Sequence, residues 1–335
     1  MTYSVDENAH AVFLPAFEQL DFPDFAKLFI DRGGRSVLLG ESRSEYVARA
    51  MSDRRRMDES ADRFRASIEG LRAVSADRLI IAVDQEMGGI QRLEGLVPDL
   101  PAISELQAMS SAEISARCYR CALAARELGI TMFLAPIADI LDGPNSWLAG
   151  RTLGSDRSDV TRYVTAYVEG VQRAGITAVT KHFPGYNSLT ADPAMEDVSC
   201  LAPIDQIRFN LTPFAAAIAA GTKAIMTGPA PLSSLDPENA ASTSPAAISL
   251  LRDKLGFRGL IVSDDLDAPA TRRGRSLLET AIAALNAGAE LLLVASGQHL
   301  AKLCEDLAFA ARSGVVCERR LAGAAEHVRS VASGL

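Results

Sequence analysis

The chain is short of several things, and each shortage excludes something. It has only four histidines and five cysteines in 335 residues. The cysteines are scattered and odd in number, so a disulfide framework is not expected, and the simplest setting is a reduced, cytoplasmic one. Cys118 and Cys121 form a C-x-x-C inside a helical pattern, but no second pair supplies the remaining ligands that structural zinc needs, so no metal and no cofactor are expected. No apolar run approaches the 18 residues of a membrane span. The opening MTYSVDENAH lacks the basic-then-apolar pattern of a secretory signal. Positive charge is also scarce, with 34 Lys and Arg against 42 Asp and Glu, a net charge of −8. That argues against nucleic acid as a partner. The one basic cluster, Arg54-Arg55-Arg56, is answered by Asp53, Asp58 and Glu59 and reads as a solvated helix face. No proline- or serine-rich linker interrupts the chain, so residues 1–335 are expected to form a single domain, monomeric or weakly self-associating.

What is present is a series of short apolar runs rich in Val, Ile and Leu. They cover 11–15, 36–40, 79–84, 132–139, 177–183, 223–228, 259–265 and 289–296. The runs are continuous rather than alternating, the mark of strands buried on both faces of a parallel sheet. Helical patterns lie between them, and several end in Gly just before the next run: Gly129, Gly175, Gly221 and Gly288. Eight β/α units in this length predict a (β/α)8 TIM barrel. An open doubly wound sheet is disfavoured, because "VDQEMGG" (83–89) lacks the G-x-G-x-x-G spacing.

In such a barrel the C-terminal strand ends share one mouth. Here they are charged: Asp84-Gln85-Glu86, Asp139, Lys181-His182, and Ser263-Asp264-Asp265, with Met226-Thr227 between. Charges gathered at one mouth are costly unless they serve a polar ligand or pair with each other. Carboxylates beside Lys, His and Arg suit a sugar: they hold hydroxyls, and one of them can attack an anomeric carbon. A Schiff base through Lys181 is the rival chemistry.

Six segments in order then resemble glycoside hydrolase family 3, in its single-domain bacterial β-N-acetylglucosaminidase branch. They are "IAVDQEMGGIQRL" (81–93), "APIADI" (135–140), "GRTLG" (150–154), "KHFPGYN" (181–187), "AIMTGPAPLSSLDPENAASTSPAAI" (224–248) and "LLRDKLGFRGLIVSDDL" (250–266). The resemblance implies a retaining mechanism with Asp264 as the nucleophile. It implies sugar binding by Asp84, Arg151, Lys181 and His182, a supporting role for Arg92, and Met226 at the pocket floor. Asp139 and Tyr186 join the substrate-binding set from their places within these motifs.

The match breaks at three points, one being that the second histidine and last glycine of the KHFPGHG motif stand here as Tyr186 and Asn187. The arginine of the family's first motif stands here as Gly89. The branch's Asp-Ser-His triplet, whose histidine is the general acid/base, falls on Asp192, Pro193 and Ala194. Alanine cannot move a proton. Glu196 and Asp192 are the candidates for that task on the same loop, with Asp197 and Tyr186 behind them. The expectation is therefore a β-glycosidase acting on a small β-linked amino sugar, with a non-standard acid/base on loop 186–197. The alternatives are a relative that binds sugar without efficient hydrolysis, and altered chemistry on the same scaffold such as transglycosylation, elimination or phosphorolysis.

Overall fold

The computed structural model describes residues 3–75 and 77–334. All eight predicted runs contain strands: β1 (Phe13–Phe17), β2 (Ser36–Leu39), β3 (Ile80–Val83), β4 (Met132–Phe133), β5 (Thr177–Phe183), β6 (Ala224–Thr227), β7 (Leu260–Val262) and β8 (Leu292–Ala295). Every neighbouring pair is parallel, from β1–β2 round to β6–β7, with β8 on the other side of β1. A parallel bridge between Val262 and Leu291 closes the ring. This is the expected (β/α)8 barrel. Its interior is filled by Leu14, Leu38, Ile80, Ala82, Met132, Leu134, Val179, Ala224, Met226, Leu260 and Val262. A larger apolar layer between strands and helices surrounds this packed interior. Burial on both faces explains why the strands read as unbroken apolar runs.

The boundaries differ in instructive ways. Ala11 belongs to the first helix, Val5–Ala11, and β1 begins two residues later. β4 pairs over only two residues, and β7 stops at Val262. Ser263, Asp264 and Asp265 thus lie beyond the ladder, free to turn into the mouth. The long helical stretch after β2 is three helices, Arg43–Ala48, Asp53–Asp58 and Ala61–Arg72. Ser42, Ser52 and Ser60 each cap one by accepting from a backbone N–H of the first turn, which restarts the helix at each serine. The four glycines after helices all take positive φ: Gly129 98°, Gly175 85°, Gly221 82° and Gly288 121°. His299 opens the helix His299–Arg312.

The basic cluster needs a correction. Arg54 is solvated, but the Arg55 side chain is only 11% exposed. Its guanidinium pairs with Glu45 (2.7 Å) and Glu59 (2.9 Å), and Glu59 in turn pairs with Arg92 (2.6 Å). Two cations and two carboxylates form a balanced internal network, which offsets the cost of burying them.

Candidate active site

The C-terminal ends of the strands surround a cavity of about 770 Å³, within the range of small-molecule sites. Asp84, Arg151, Lys181, His182, Met226 and Asp264 line it together. β1 and the segment after it contribute a mixed wall, with Phe17, Pro23 and Phe25 beside Glu18, Gln19 and Asp21.

An ion-pair chain lies at the inner end. Lys181 Nζ sits 2.6 Å from Asp84 Oδ1 and 2.8 Å from Glu86 Oε1. Glu86 is held in turn by Arg151, with Nη2 at 2.7 Å and Nε at 3.2 Å. Lys181, Glu86 and Arg151 are each at most 3% exposed. Burial alone would strip the proton from Lys181. The Asp84 and Glu86 carboxylates more than reverse this and hold its pKa above the usual lysine value. Burial would likewise protonate Glu86, but Arg151 and Lys181 override it and keep the group ionised. A Cβ at Gly89 would collide with Glu86 Oε2, so the glycine at this motif position makes room for the pairing.

A second group orients His182. Asp139 is fully buried and accepts three hydrogen bonds, from His182 N (2.9 Å), His182 Nδ1 (2.8 Å) and Tyr186 N (2.7 Å). A carboxylate only accepts, so Nδ1 is assigned as the donor of this contact, which orients the ring with Nε2 on the Asp264 side. Trp147 packs on the imidazole at 4.5 Å between centroids and donates through Nε1 to Tyr46 Oη at 3.1 Å. The Lys181–His182 and Phe183–Pro184 peptide bonds are cis.

Asp264 completes the arrangement. Its N–H donates to Ser242 Oγ (2.9 Å) and its Oδ1 accepts from Asp265 N (2.8 Å). Oδ2 is buried, has no hydrogen-bond partner, and lies 4.0 Å from His182 Nε2. Burial raises its pKa, against the opposing influence of His182 and Lys181. Asp265 lines the same cavity, and burial, with Asp267 nearby, pushes its pKa up to about 7.

Six of the sequence-derived residues do not line the cavity. Asp139 acts through His182. Tyr186 is fully buried, with its hydroxyl donating to the Ala230 carbonyl (2.6 Å). Arg92 lies behind the end of β2, where Nε donates to the Gly40 carbonyl (2.7 Å) and the guanidinium pairs with Glu59. Glu196 is exposed. Asp192 Oδ1 accepts from Ala194 N (2.9 Å) within its own turn, and Asp197 pairs with Arg273 (2.8 Å). From this loop only Pro193 and Ala194 reach the cavity. The alanine at the family's histidine position therefore faces the site, and the loop's acids do not. Conversely, Glu41, Tyr46 and Trp147 line the cavity and Glu86 anchors it, yet they are absent from the sequence-derived set. Glu41 directly follows the SVLLG run, so the strand-end rule that picked out Asp84 points to it equally.

Residues 46–331 match the model of the glycosyl hydrolase family 3 N-terminal domain. The chain belongs to glycoside hydrolase family 3. A β-hexosaminidase of Xylella fastidiosa (strain 9a5c) is 31% identical over 232 residues, which cover 67% of this chain and 69% of that protein. A family 3 β-N-acetylglucosaminidase from Paenibacillus sp. str. FPU-7 superposes with a TM-score of 0.87 at 27% identity. The alignment covers 98% of this chain, which spans 62% of that one. A β-N-acetylhexosaminidase from Beutenbergia cavernae shares the fold over nearly its full length, with a TM-score of 0.84 at 24% identity. Among the described residues of this family 3 protein, no helix is long and apolar enough to cross a membrane, and no group of three His, Cys, Asp or Glu is placed to hold a metal.

Proposed function

We propose that this family 3 protein is a retaining β-glycosidase acting on a small β-linked amino sugar, with Asp264 as its nucleophile. The supporting observation is Asp264 Oδ2, an unpaired carboxylate oxygen beside a cavity furnished with Asp84, Lys181, His182 and Arg151. Its relatives named as β-hexosaminidases and β-N-acetylglucosaminidases support an amino sugar as the substrate class. In the first step Asp264 Oδ2 attacks the anomeric carbon as the bond to the leaving oxygen breaks, giving a glycosyl ester. In the second, water attacks the same carbon and releases Asp264. Lys181 and Arg151 stay charged throughout and suit hydroxyl recognition. His182 is held by Asp139 with Nε2 4.0 Å from Asp264 Oδ2.

The leaving group receives no proton from loop 186–197, whose cavity-facing residues are Pro193 and Ala194. Absence of a general acid typically costs about 100- to 10,000-fold, and the loss is smallest for leaving groups that depart unprotonated. The same observation favours a second reading, sugar binding without efficient turnover on natural glycosides.

The test is turnover of activated aryl 2-amino- and 2-acetamido-2-deoxy-β-glycosides by wild type and Asp264→Asn. Activity on these substrates with little on alkyl glycosides is expected, with azide accelerating turnover and mass spectrometry finding an ester on Asp264. Undiminished turnover by Asp264→Asn would end the proposal. Sugar affinity without turnover on any substrate would select the binding reading.

A further inference from the structure

Among the described residues, two side chains lining the cavity carry a buried oxygen without a hydrogen-bond partner. One is Asp264 Oδ2, already given a role; the other is Glu41 Oε2. Glu41 follows β2 and enters the cavity from there, while its backbone neighbour Gly40 is fixed by Arg92 through the Gly40 carbonyl. An unpaired buried carboxylate oxygen is expensive unless something comes to it.

The charges at this end do not balance. Glu41, Asp84 and Glu86 are three carboxyls, and Lys181 and Arg151 are the two cations paired among them. The nearby Arg55 and Arg92 are matched by Glu45 and Glu59 and have no charge to spare. Among these groups one positive charge is missing, and the unpaired oxygen on Glu41 marks the place; Arg43, also on the cavity wall, acts on Asp265. We propose that Glu41 receives a primary ammonium group of the bound sugar, so that the pocket takes an amino sugar with its amine free rather than acylated. An ammonium supplies both missing elements, a charge and hydrogen-bond donors directed at Oε2. An acetamide supplies no charge, and a sugar carboxylate would add a fourth like charge. Without ligand, burial and the charges of Asp84 and Glu86 push the Glu41 pKa up to about 7, the response of a carboxyl lacking its counter-ion.

The inference rests on the pocket being a glycoside site, and calorimetry separates the two. The probes are glucose, the four monoamino glucoses with the amine at C2, C3, C4 or C6, N-acetylglucosamine and glucuronate. They are titrated at pH 7.5 into wild type and Glu41→Gln, each checked for an intact thermal transition. At least one amino glucose is expected to bind wild type tenfold or more tighter than both glucose and N-acetylglucosamine, with glucuronate weakest. Glu41→Gln is expected to erase that preference while changing glucose affinity less than threefold. N-acetylglucosamine binding wild type as tightly as every amino sugar would overturn the inference and leave the glycosidase reading standing. So would an amine preference that survives Glu41→Gln. If none of the sugars binds, both fall.

Discussion

Replacing Glu41 with glutamine should change how stability depends on pH, and the size follows from the burial of this carboxyl. Its pKa is raised from 4.5 to about 7, chiefly by desolvation and then by Asp84 and Glu86, with Lys181 opposing. In the unfolded chain the carboxyl loses its proton near the ordinary value, whereas the folded protein keeps it to about neutrality. Between these limits the folded state binds more protons, so stability is fully present below about pH 4.5 and falls as pH rises to about 7. The shift corresponds to about 3 kcal/mol. Asp265, also pushed up to about 7, contributes in the same direction. Glutamine fills the same volume, cannot ionise, and mimics the protonated acid. Glu41→Gln should therefore match wild type near pH 5 and exceed it at pH 8 by up to about 3 kcal/mol, with the Asp265 contribution intact. Urea titrations at pH 5, 6, 7 and 8 would measure this. Trp147 is the only tryptophan and packs on His182, so its emission reports the site itself. A stability difference unchanged between pH 5 and pH 8, or a variant weaker than wild type at pH 8, would refute the assignment of a protonated, unpaired Glu41.

Two other substitutions test separate parts of the molecule. Ala194→His puts an imidazole on the cavity wall, next to the carboxylate of Asp192; kcat for alkyl glycosides should rise by about 10-fold or more, with little change for aryl glycosides whose leaving groups need no proton. Equal effects on both classes would show that residue 194 does not serve proton transfer. Arg55→Ala should cost about 3–5 kcal/mol in urea denaturation by leaving buried Glu45 without its cation and Glu59 with Arg92 alone, whereas Arg54→Ala one residue away should stay within about 0.5 kcal/mol.

The barrel was legible because its physics leaves a simple trace. A strand buried on both faces must be apolar at every position, so all eight appear as unbroken runs. The glycines that release each helix appear as punctuation. The mouth was legible for a related reason: an acid or lysine at the end of such a run has only the rim to occupy. Which way each charged side chain then turns is not written at that level. Asp84 and Asp139 both follow barrel strands, yet Asp84 meets Lys181 in the cavity while Asp139 turns inward onto two backbone N–H groups and an imidazole. Those partners come from β5 and the loop after it, more than 40 residues away. Arg55 was misread for the same reason. Its nearest sequence neighbours are charged and exposed, but its partners Glu45 and Glu59 lie on the adjoining helix and past its own, where the three short helices fold together.

The departures from the family pattern share a direction. At the loop, the position of the proton-carrying histidine is occupied by Ala194, which faces the cavity and offers no charge. At the inner end, the position of a motif arginine is occupied by Gly89, whose missing side chain is what lets Glu86 approach Arg151. Each change removes a potentially positive group from around one cavity, and Glu41 contributes a negative one. A site that had simply decayed would have no reason to keep Lys181, Arg151, Asp84 and Glu86 in a fully paired chain, since a buried charge whose partner is lost costs about 3–5 kcal/mol. The pairing is intact, and of the two cavity carboxyls left with an unpartnered oxygen, Asp264 and Glu41, only Glu41 lies beside that chain. That combination suits a pocket whose ligand brings the missing charge with it.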